Sequence, residues 1–323
     1  MILIITLNPL LERRFSYGQA VLGFVNRNAV TRISAGGKGI NVSRQLKKFG
    51  VKSYNYFFSG GTNGKIYRDA LKSEELDFTF VSTKSETRHA AVITSEKDEI
   101  ISSYFSEDPK ILQNEVDEFK SKLDKMIQNC EIVIFAGSSP CNETDSIIPF
   151  GIQLANKYDK VSVCDTYGKH LQDCIDSEPT IIHNNLAEIN KSLDVKLEDE
   201  KSIIDFMNQL YRKNIKRIYL TNGSNNFYAS NFNYIYKISP LEIQEIDATG
   251  SGDSFVAGIV NGWSNSHLFE DSLKFATTVS GLNVATFDVS NVSLDEVEKF
   301  KDKVEIFPVG KKTKTIDDSP REI

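Results

Sequence analysis

Short apolar runs alternate along the chain with longer stretches whose apolar positions recur at helical spacing. The apolar runs predict strands at Ile2–Leu7, Val51–Phe58, Ile132–Phe135, Val161–Cys164, Thr180–Ile182 and Arg217–Leu220. The helical patterns fall near Gly39–Phe49, Gly64–Ser73, Ile111–Ile127, Asp145–Lys157, Glu200–Lys213, Asp253–Trp263 and Leu268–Ala285. This alternation favours an α/β fold in which a mostly parallel sheet carries helices on both faces. Ligands of such sheets bind beyond the carboxyl ends of the strands.

Two stretches break the alternation. Arg13–Ile33 has no helical period, and Asp77–Phe105 holds several short runs in which apolar and polar residues alternate. Such alternation is typical of half-buried strands. The two stretches therefore predict either a pair of surface hairpins or a small sheet that is separate from the main one.

The segment Ile246–Gly258 (IDATGSGDSFVAG) places a glycine-rich turn directly before an apolar helix. Such a turn leaves backbone N–H groups without intrahelical partners, and with the helix dipole they form an anion site. Asp253 lies in the first helical turn, beside the position of a bound anion. An anion site next to a base is what phosphoryl transfer to an alcohol requires. An ordinary capped helix after a glycine turn is the alternative for this segment alone.

A second glycine-rich turn lies in Ser34–Gly50 (SAGGKGINVSRQLKKFG), again at the start of a helical pattern. Lys38 and Asn41 are the polar residues inside it. The spacing matches neither the Walker pattern nor the dinucleotide fingerprint. One such loop could serve close packing of a helix on a strand, but two of them about two hundred residues apart favour a binding site.

Together the two segments resemble the signatures of the ribokinase-like carbohydrate kinases, in the branch of 1-phosphofructokinase and tagatose-6-phosphate kinase. Thr6-Leu7-Asn8-Pro9, Thr87-Arg88 and Gly137-Ser138-Ser139-Pro140 are similar to that branch as well. The resemblance covers roughly residues 1–308. It implies a doubly wound, mostly parallel sheet in a single domain over 1–310. It also implies a β-sheet lid formed from about 10–33 and 77–106, and leaves 311–323 as a polar, mobile tail.

Composition excludes several other classes. The 323-residue chain has a formal net charge of −6 with charges mixed along it, so no basic stripe suggests nucleic acid. No apolar run is long enough for a membrane span, and the first residues predict a strand rather than a signal peptide. The cysteines form no CxxC pair, which favours free thiols in a cytoplasmic protein. These four are Cys130, Cys141, Cys164 and Cys174.

The resemblance implies ATP-dependent phosphorylation of a ketohexose phosphate to a bisphosphate, with fructose 1-phosphate or tagatose 6-phosphate as acceptor. Asp253 would accept the hydroxyl proton, and the N–H groups of Gly250, Ser251 and Gly252 would stabilise charge on the transferred group. We expect the helix N-terminus to keep Asp253 ionised at neutral pH. Mg²⁺ would enter with the nucleotide rather than in a cage of protein ligands.

The acceptor side requires hydrogen-bond donors and cations. By resemblance, Lys38, Arg88 and Arg27 would hold the acceptor phosphate, although each arginine alone could equally be a solvated surface charge. Gly37, Asn41 and Ser138 would contact the sugar or its phosphate. Glu12 stands where the family usually has Asp, so we expect a difference from the family in pocket size or acceptor choice.

The nucleotide side matches the family in part. The residues expected to contact the nucleotide are Asn185, Glu188, Thr221, Gly223, Thr249 and Asn283, with Glu188 near Mg²⁺ through water and Asn283 near the adenine. His183-Asn184 replaces the usual Lys-Pro, which removes an expected positive charge near the phosphates. Asp247 would support the loop or lie near a monovalent-cation site.

Two alternatives remain open at this point. A ribokinase-like kinase of another sugar or small alcohol is favoured by Glu12 and by His183-Asn184. A non-catalytic sugar-phosphate sensor is opposed by the intact Asp253 and glycine loops. In either kinase the partners are small molecules. A homodimer that pairs through the lids is also expected, because an extended lid edge would otherwise be exposed.

Overall fold

The computed structural model describes residues 1–309. The tail predicted for 311–323 lies outside the described residues, as does the predicted domain end at 310. The strands are β1 (Ile2–Thr6), β2 (Leu10–Tyr17), β3 (Val30–Gly36), β4 (Ser53–Gly60), β5 (Asp77–Thr83), β6 (His89–Ser95), β7 (Ile100–Phe105), β8 (Ile132–Ala136), β9 (Val161–Asp165), β10 (Ile181–Asn185), β11 (Arg217–Thr221), β12 (Phe227–Asn231), β13 (Tyr234–Ser239) and β14 (Glu305–Val309).

The helices are α1 (Lys38–Lys48), α2 (Gly61–Ser73), α3 (Gln113–Gln128), α4 (Ile147–Lys157), α5 (Leu171–Asp176), α6 (Leu186–Leu193), α7 (Glu200–Arg212), α8 (Ser251–Ser264), α9 (Phe269–Asn283) and α10 (Leu294–Phe300). The longer helices begin and end within a few residues of the predicted bounds. The short helices α5, α6 and α10 were not predicted from the sequence, because one or two turns give too few apolar positions to show a helical period.

The main sheet has ten strands in the order β14-β13-β12-β11-β10-β9-β8-β1-β4-β5. Strands β5, β4, β1, β8, β9, β10 and β11 pair in parallel, and β12, β13 and β14 continue the sheet in antiparallel pairs. The central strands are buried on both faces, which explains why β1 is apolar from Ile2 to Ile5. The predicted mostly parallel sheet is confirmed.

Helices cover both faces of this sheet. One core cluster joins the sheet to α3, α4, α5, α6 and α7, and a second joins its other face to α1, α8, α9 and α10. The helix α8 crosses α9 so closely that a Cβ on Gly258 would lie 2.6 Å from the Ala276 Cα. This close packing fixes α8, whose first turn carries Asp253.

A small sheet of four strands, in the order β3-β2-β6-β7, lies apart from the main one. Its strands β2 and β6 pair in parallel, and the other pairs are antiparallel. The predicted second segment of the lid is too long, because β5 (Asp77–Thr83) pairs with β4 in the main sheet. The small sheet therefore takes its second segment from His89 onward, while the first segment extends past the predicted 33 to Gly36.

The carboxyl ends of the parallel strands meet at one edge of the main sheet. Asn8 follows β1, Ser138 follows β8, Asp165 ends β9 and Asn185 ends β10. Parallel pairing brings these residues into one row although they are far apart in sequence. The glycine loops before α1 and α8 lie at the same edge.

Candidate active site

A cavity of about 530 Å³ occupies this edge. Most of the residues predicted for the site line it, namely Glu12, Gly37, Lys38, Asn41, Asn185, Glu188, Thr221, Gly223, Thr249, Gly250, Ser251, Gly252 and Asp253. Arg27, Arg88, Ser138 and Asn283 do not line it. The structure thus brings both glycine loops to one cavity, as their shared chemistry predicted.

The anion loop, Thr249–Gly252, turns sharply into α8. Gly250 has a φ of 76°, and a Cβ there would overlap the Val289 side chain, so only glycine fits without strain. The Asp247 carboxylate accepts a hydrogen bond of 2.9 Å from the Thr249 N–H and so caps the turn. The loop conformation is therefore fixed before any ligand binds.

The predicted anion hole needs one correction. The Ser251 N–H donates to the Ala248 carbonyl at 3.2 Å, so it is already in use. Within residues 1–309, the N–H groups of Gly250 and Gly252 have no recorded protein acceptor. These two donors, rather than all three, are available to an anion in front of α8.

Asn283 lies behind the anion loop instead of facing the cavity. Its amide donates to the Thr249 carbonyl at 2.8 Å and accepts from the Ser290 N–H at 2.7 Å and from the Ser254 hydroxyl at 3.2 Å. These bonds occupy the side chain, which is 1% exposed. The expected contact with adenine is therefore corrected to a role in holding the loop.

Asp253 is buried at the start of α8 and faces the first glycine loop. Its Oδ2 accepts a hydrogen bond of 2.7 Å from the Asn41 amide. The amide is oriented by the Arg44 guanidinium, which donates to the Asn41 Oδ1 at 2.9 Å. Because an amide oxygen fixed on Arg44 leaves the nitrogen toward Asp253, α1 supplies a dedicated donor to this carboxylate.

The electrostatics of Asp253 differ from the expectation that the helix N-terminus keeps it ionised at neutral pH. Burial and the nearby Asp165 charge raise the pKa of Asp253 to about 7, although Lys38, Asn41 and His183 act in the opposite direction. Removal from water is the largest of these effects. Asp253 is therefore about half ionised near pH 7, which suits a group that takes up a proton.

Lys38 lines the cavity and lies between two carboxylates. Its Nζ is 3.2 Å from the Asp165 Oδ1 and 2.9 Å from the Glu188 Oε1. Burial alone would lower the pKa of Lys38, but the charges of Asp165, Glu188 and Asp253 raise it well above its usual value. The ammonium is thus permanently charged. It pairs with these two carboxylates, and its predicted contact with the acceptor phosphate stays a prediction.

Asp165 anchors this group of charges from the end of β9. It is fully buried, and burial would raise its pKa, but Lys38 and His183 together lower it below the usual value. His183 donates from Nδ1 to the Asp165 Oδ1 at 3.1 Å, and its Nε2 lies 3.4 Å from the Thr221 hydroxyl. His183 thus orients the Asp165 carboxylate, which in turn pairs with Lys38. Sequence spacing gave no signal for this link.

A second polar group, the acceptor-end cluster, adjoins the cavity and consists of Asn8, Arg88, Asp108 and Ser138. Arg88 Nη2 donates to the Asn8 carbonyl at 3.0 Å, and the Asn8 amide donates to the Ser138 hydroxyl at 3.2 Å. The Arg88 guanidinium lies 5.9 Å from the ring centre of Phe105, which lines the cavity. Asn8 and Asp108 were not predicted as site residues, although Asn8 follows β1 at the ligand-binding edge.

Arg27 is exposed on the loop between β2 and β3, and no hydrogen bond or ion pair is recorded for it within residues 1–309. Its predicted contact with the acceptor phosphate stays a prediction. Arg14 of the small sheet does not line the cavity, but its Nε lies 2.9 Å from the Oε2 of Glu12, which does. Arg14 also lies 3.6 Å from the Asp247 carboxylate. The two-residue period of β2 places Arg14 and Glu12 on one face, which is the signal that could have found it.

Three further observations concern membrane spans, metal ligands and thiols. In the described part of the chain, no helix is both long and apolar enough to cross a membrane. Over the same residues, no three or more His, Cys, Asp or Glu side chains are grouped so as to hold a metal ion by themselves. The four cysteines are free thiols, and none of them lines the cavity.

The fold and the site together define a class, the kinases of ribokinase-like fold. The model of the pfkB family carbohydrate kinases matches residues 14–296, and the chain belongs to this family. The resemblance found in the sequence is thereby confirmed.

Named relatives agree with this class. The chain is 29% identical over 312 residues to a tagatose-6-phosphate kinase of Staphylococcus epidermidis, covering 96% of this chain and all of the relative. A possible 1-phosphofructokinase of Thermotoga maritima has the same fold, with a TM-score of 0.87 at 23% identity over 96% of this chain and 100% of that one. Escherichia coli phosphofructokinase-2 in complex with fructose-6-phosphate gives a TM-score of 0.82 at 18% identity, over 94% of this chain and 98% of that one.

Proposed function

We propose that this kinase transfers the γ-phosphoryl group of ATP to a hydroxyl of a ketohexose phosphate, fructose 1-phosphate or tagatose 6-phosphate, and forms the bisphosphate. The observation that carries the proposal is the position of Asp253. This buried carboxylate stands directly beside the free N–H groups of the anion loop, in a cavity that also holds the Lys38 ammonium. The names of the relatives suggest the acceptor class.

In the proposed reaction, the acceptor hydroxyl oxygen forms a bond to the γ-phosphorus while the bond from that phosphorus to the bridging oxygen of ADP breaks. The hydroxyl proton passes to Asp253, whose pKa of about 7 allows it to accept a proton and later release it to water. The N–H groups of Gly250 and Gly252 would face the charge on the transferred group. Lys38 would balance charge between the donor and acceptor phosphates.

The residues at the nucleotide phosphates fit the Mg²⁺ that accompanies ATP. The Glu188 carboxylate lines the cavity, and the Asp165 Oδ2 is buried without a hydrogen-bond partner, whereas the Asn185 Oδ1 already accepts from the Ala187 N–H at 2.8 Å. Oxygen donors of this kind suit Mg²⁺ when it keeps most of its water ligands. Glu188 would hold the ion through water, and the ion would neutralise charge across the β- and γ-phosphate oxygens.

The other end of the cavity suits the adenine. Its lining there is largely apolar. Phe227 comes from β12, Leu241 and Ile243 from the segment after β13, and Val284 from the position directly after α9. Thr277 and Ser280 add polar atoms, and Thr221 and Gly223 also line the cavity. An apolar slot with a few polar groups is usual for a planar heterocycle. Asp247 is the residue expected near a monovalent cation, and we propose no other site for such an ion.

The acceptor would lie on the opposite side of Asp253, toward the small sheet. Glu12 and Asn41 line the cavity there, and Gly37 allows the backbone to approach the sugar. Arg88 and Ser138 of the acceptor-end cluster would receive the phosphate that the acceptor already carries. The small sheet would close over the sugar and exclude water, which limits ATP hydrolysis.

The test is ADP release with Mg-ATP, measured for fructose 1-phosphate, tagatose 6-phosphate, fructose 6-phosphate, fructose and tagatose. The proposal expects strong turnover of one phosphorylated ketohexose and little with the free sugars. Asp253→Asn is the control that separates turnover at this site from a contaminating kinase. Turnover of a free sugar alone, or of none of the five, would overturn the proposed acceptor.

A kinase of an unphosphorylated acceptor is the second candidate. It is favoured by two carboxylates at the acceptor end, Glu12 in the cavity and Asp108 on Arg88. A carboxylate accepts hydrogen bonds from sugar hydroxyls and repels a phosphate. The same panel of acceptors decides between the two candidates.

We also propose a homodimer that forms through the small sheet. The loop between β2 and β3 exposes Leu22, Phe24 and Val25 at 75–89%, and Val30 on the edge strand β3 is 73% exposed. Apolar side chains on an unpaired sheet edge favour association. Light scattering after size-exclusion chromatography should give twice the monomer mass, and Leu22→Glu with Phe24→Glu should give the monomer.

A further inference from the structure

The acceptor-end cluster contains an ion pair that the proposed reaction does not use. Asp108 Oδ1 accepts a hydrogen bond from Arg88 Nη1 at 3.1 Å and another from the Asn8 amide at 2.9 Å. It therefore covers part of the donor surface that Arg88 and Asn8 would offer to an acceptor phosphate. In this arrangement a carboxylate stands where an anionic ligand would bind.

The two partners of the ion pair differ in how firmly they are held. The Arg88 side chain is 16% exposed and is fixed by the Asn8 carbonyl, whereas the Asp108 side chain is 46% exposed. Asp108 lies between β7 and α3, outside both elements. It can turn into water at small cost, but Arg88 cannot leave without losing its buried contacts.

Two atoms of the cluster are left without partners. The Arg88 Nε and the Asn8 Oδ1 are both buried and make no hydrogen bond in the described structure. Buried polar atoms are usually paired, so unpaired ones on neighbouring side chains indicate that a ligand completes the cluster. A phosphate ester suits it, since its oxygens can accept from Arg88 while a sugar hydroxyl donates to Asn8.

We propose that Asp108 is a specificity-determining residue, which occupies the anion position on Arg88 until the phosphate of the acceptor displaces it. This inference rests on the proposed function, because it assumes that the acceptor binds beside Arg88. Asp108 would weaken the binding of every anion at Arg88, and only an acceptor that also contacts the rest of the site would bind well. An uncharged sugar would leave the ion pair intact.

The inference predicts a gain on substitution, which a purely structural role would not give. Asp108→Asn keeps the shape and the acceptor oxygen for Asn8 but removes the charge. Since a partly exposed ion pair contributes on the order of 1 kcal/mol, which is about fivefold in a binding constant, we expect the KM of the phosphorylated ketohexose to fall about three- to tenfold. The kcat and the KM of ATP should stay within about twofold of the original values, since Asp108 lies outside the cavity that holds the nucleotide.

The experiment compares the original chain with Asp108→Asn, Glu107→Gln and Arg88→Gln, and with Asp108→Asn combined with Arg88→Gln. Glu107→Gln is the matched control, because it removes one negative charge at the adjacent exposed position. Inorganic phosphate is titrated as a competitor of the acceptor in each variant. We expect the phosphorylated acceptor and inorganic phosphate to bind more tightly only to Asp108→Asn. In the variant that combines Asp108→Asn with Arg88→Gln, we expect no gain in affinity over Arg88→Gln alone.

Unchanged or weaker binding in Asp108→Asn would overturn the inference, and so would an equal gain in Glu107→Gln. Failure of the proposed function would give a different result, because the original chain would then turn over none of the phosphorylated sugars. Equilibrium titration of phosphate would then still decide whether Asp108 competes for Arg88.

Discussion

Replacing Asn41 with Ala tests how the site sets the protonation of Asp253. The Asn41 amide donates its 2.7 Å hydrogen bond to the ionised carboxylate, so its loss should raise the pKa of Asp253 above the value of about 7. A hydrogen bond to a charged group is worth about 1.5–3 kcal/mol, which corresponds to roughly one to two pKa units. At pH 7 the ionised fraction would fall from about one half to about one tenth or less.

The assay is the dependence of kcat/KM on pH from 5.5 to 9.5, with ADP measured directly so that no coupling enzyme limits the range. The acid limb of this profile reports the base in the free enzyme. We expect its midpoint near 7 in the original chain and at about 8–9 in Asn41→Ala. Activity lost at pH 7 should therefore return in part at pH 9.

Two results would refute this reasoning. A midpoint that stays where it was would mean that Asn41 does not influence the base. A loss of equal size at every pH would mean that Asn41 acts only by contacting the acceptor. Asn265→Ala is the matched control. Within residues 1–309 its side-chain amide bonds only to Asn261, at the far end of α8, so the profile should stay unchanged.

Three further substitutions have expected outcomes. Gly250→Ala places a Cβ against the Val289 side chain at a residue with positive φ. Turnover should fall at least tenfold while circular dichroism shows that the fold is retained. Near-normal turnover would contradict the role of the anion loop. In urea, the free energy of unfolding of Asp253→Asn above pH 7 should exceed that of the original chain by about 2–4 kcal/mol. The reason is that the raised pKa of Asp253 in the folded state makes its ionisation destabilising, so this difference should shrink as the pH falls toward 4. A constant gap would be inconsistent with that titration. Gly258→Ala should lower the free energy of unfolding by about 1–3 kcal/mol through overpacking against Ala276, and no change would show that α8 and α9 can separate freely.

Sequence patterns predicted the centre of the fold better than its edges. The central strands are buried on both faces, so they appear as apolar runs, whereas β12, β13 and β14 carry mixed residues and were not predicted. The alternating run in β5 indicates a strand but does not tell which sheet the strand joins. That choice depends on its pairing with β4, which no local pattern contains.

The site shows the same division between local and long-range information. The glycine loops were found because their backbone requirements restrict the sequence at each position. The pairing of Lys38 with Asp165, and of Asn283 with the anion loop, joins residues far apart in the chain. Asp253 was expected to be ionised because only its own helix was considered. The burial and the neighbouring carboxylate that raise its pKa come from other elements.

The most direct test of the central claim is a single-turnover measurement on Asp253→Asn with Mg-ATP and the preferred phosphorylated ketohexose. Acceptor binding, followed by calorimetry, should stay within about threefold of the original value, because the amide keeps the shape and polarity of the carboxyl. The rate of phosphoryl transfer should fall about 10²- to 10⁴-fold, as expected for loss of a general base. Transfer within about threefold of the original rate would contradict the account, since the proton would then leave by another route.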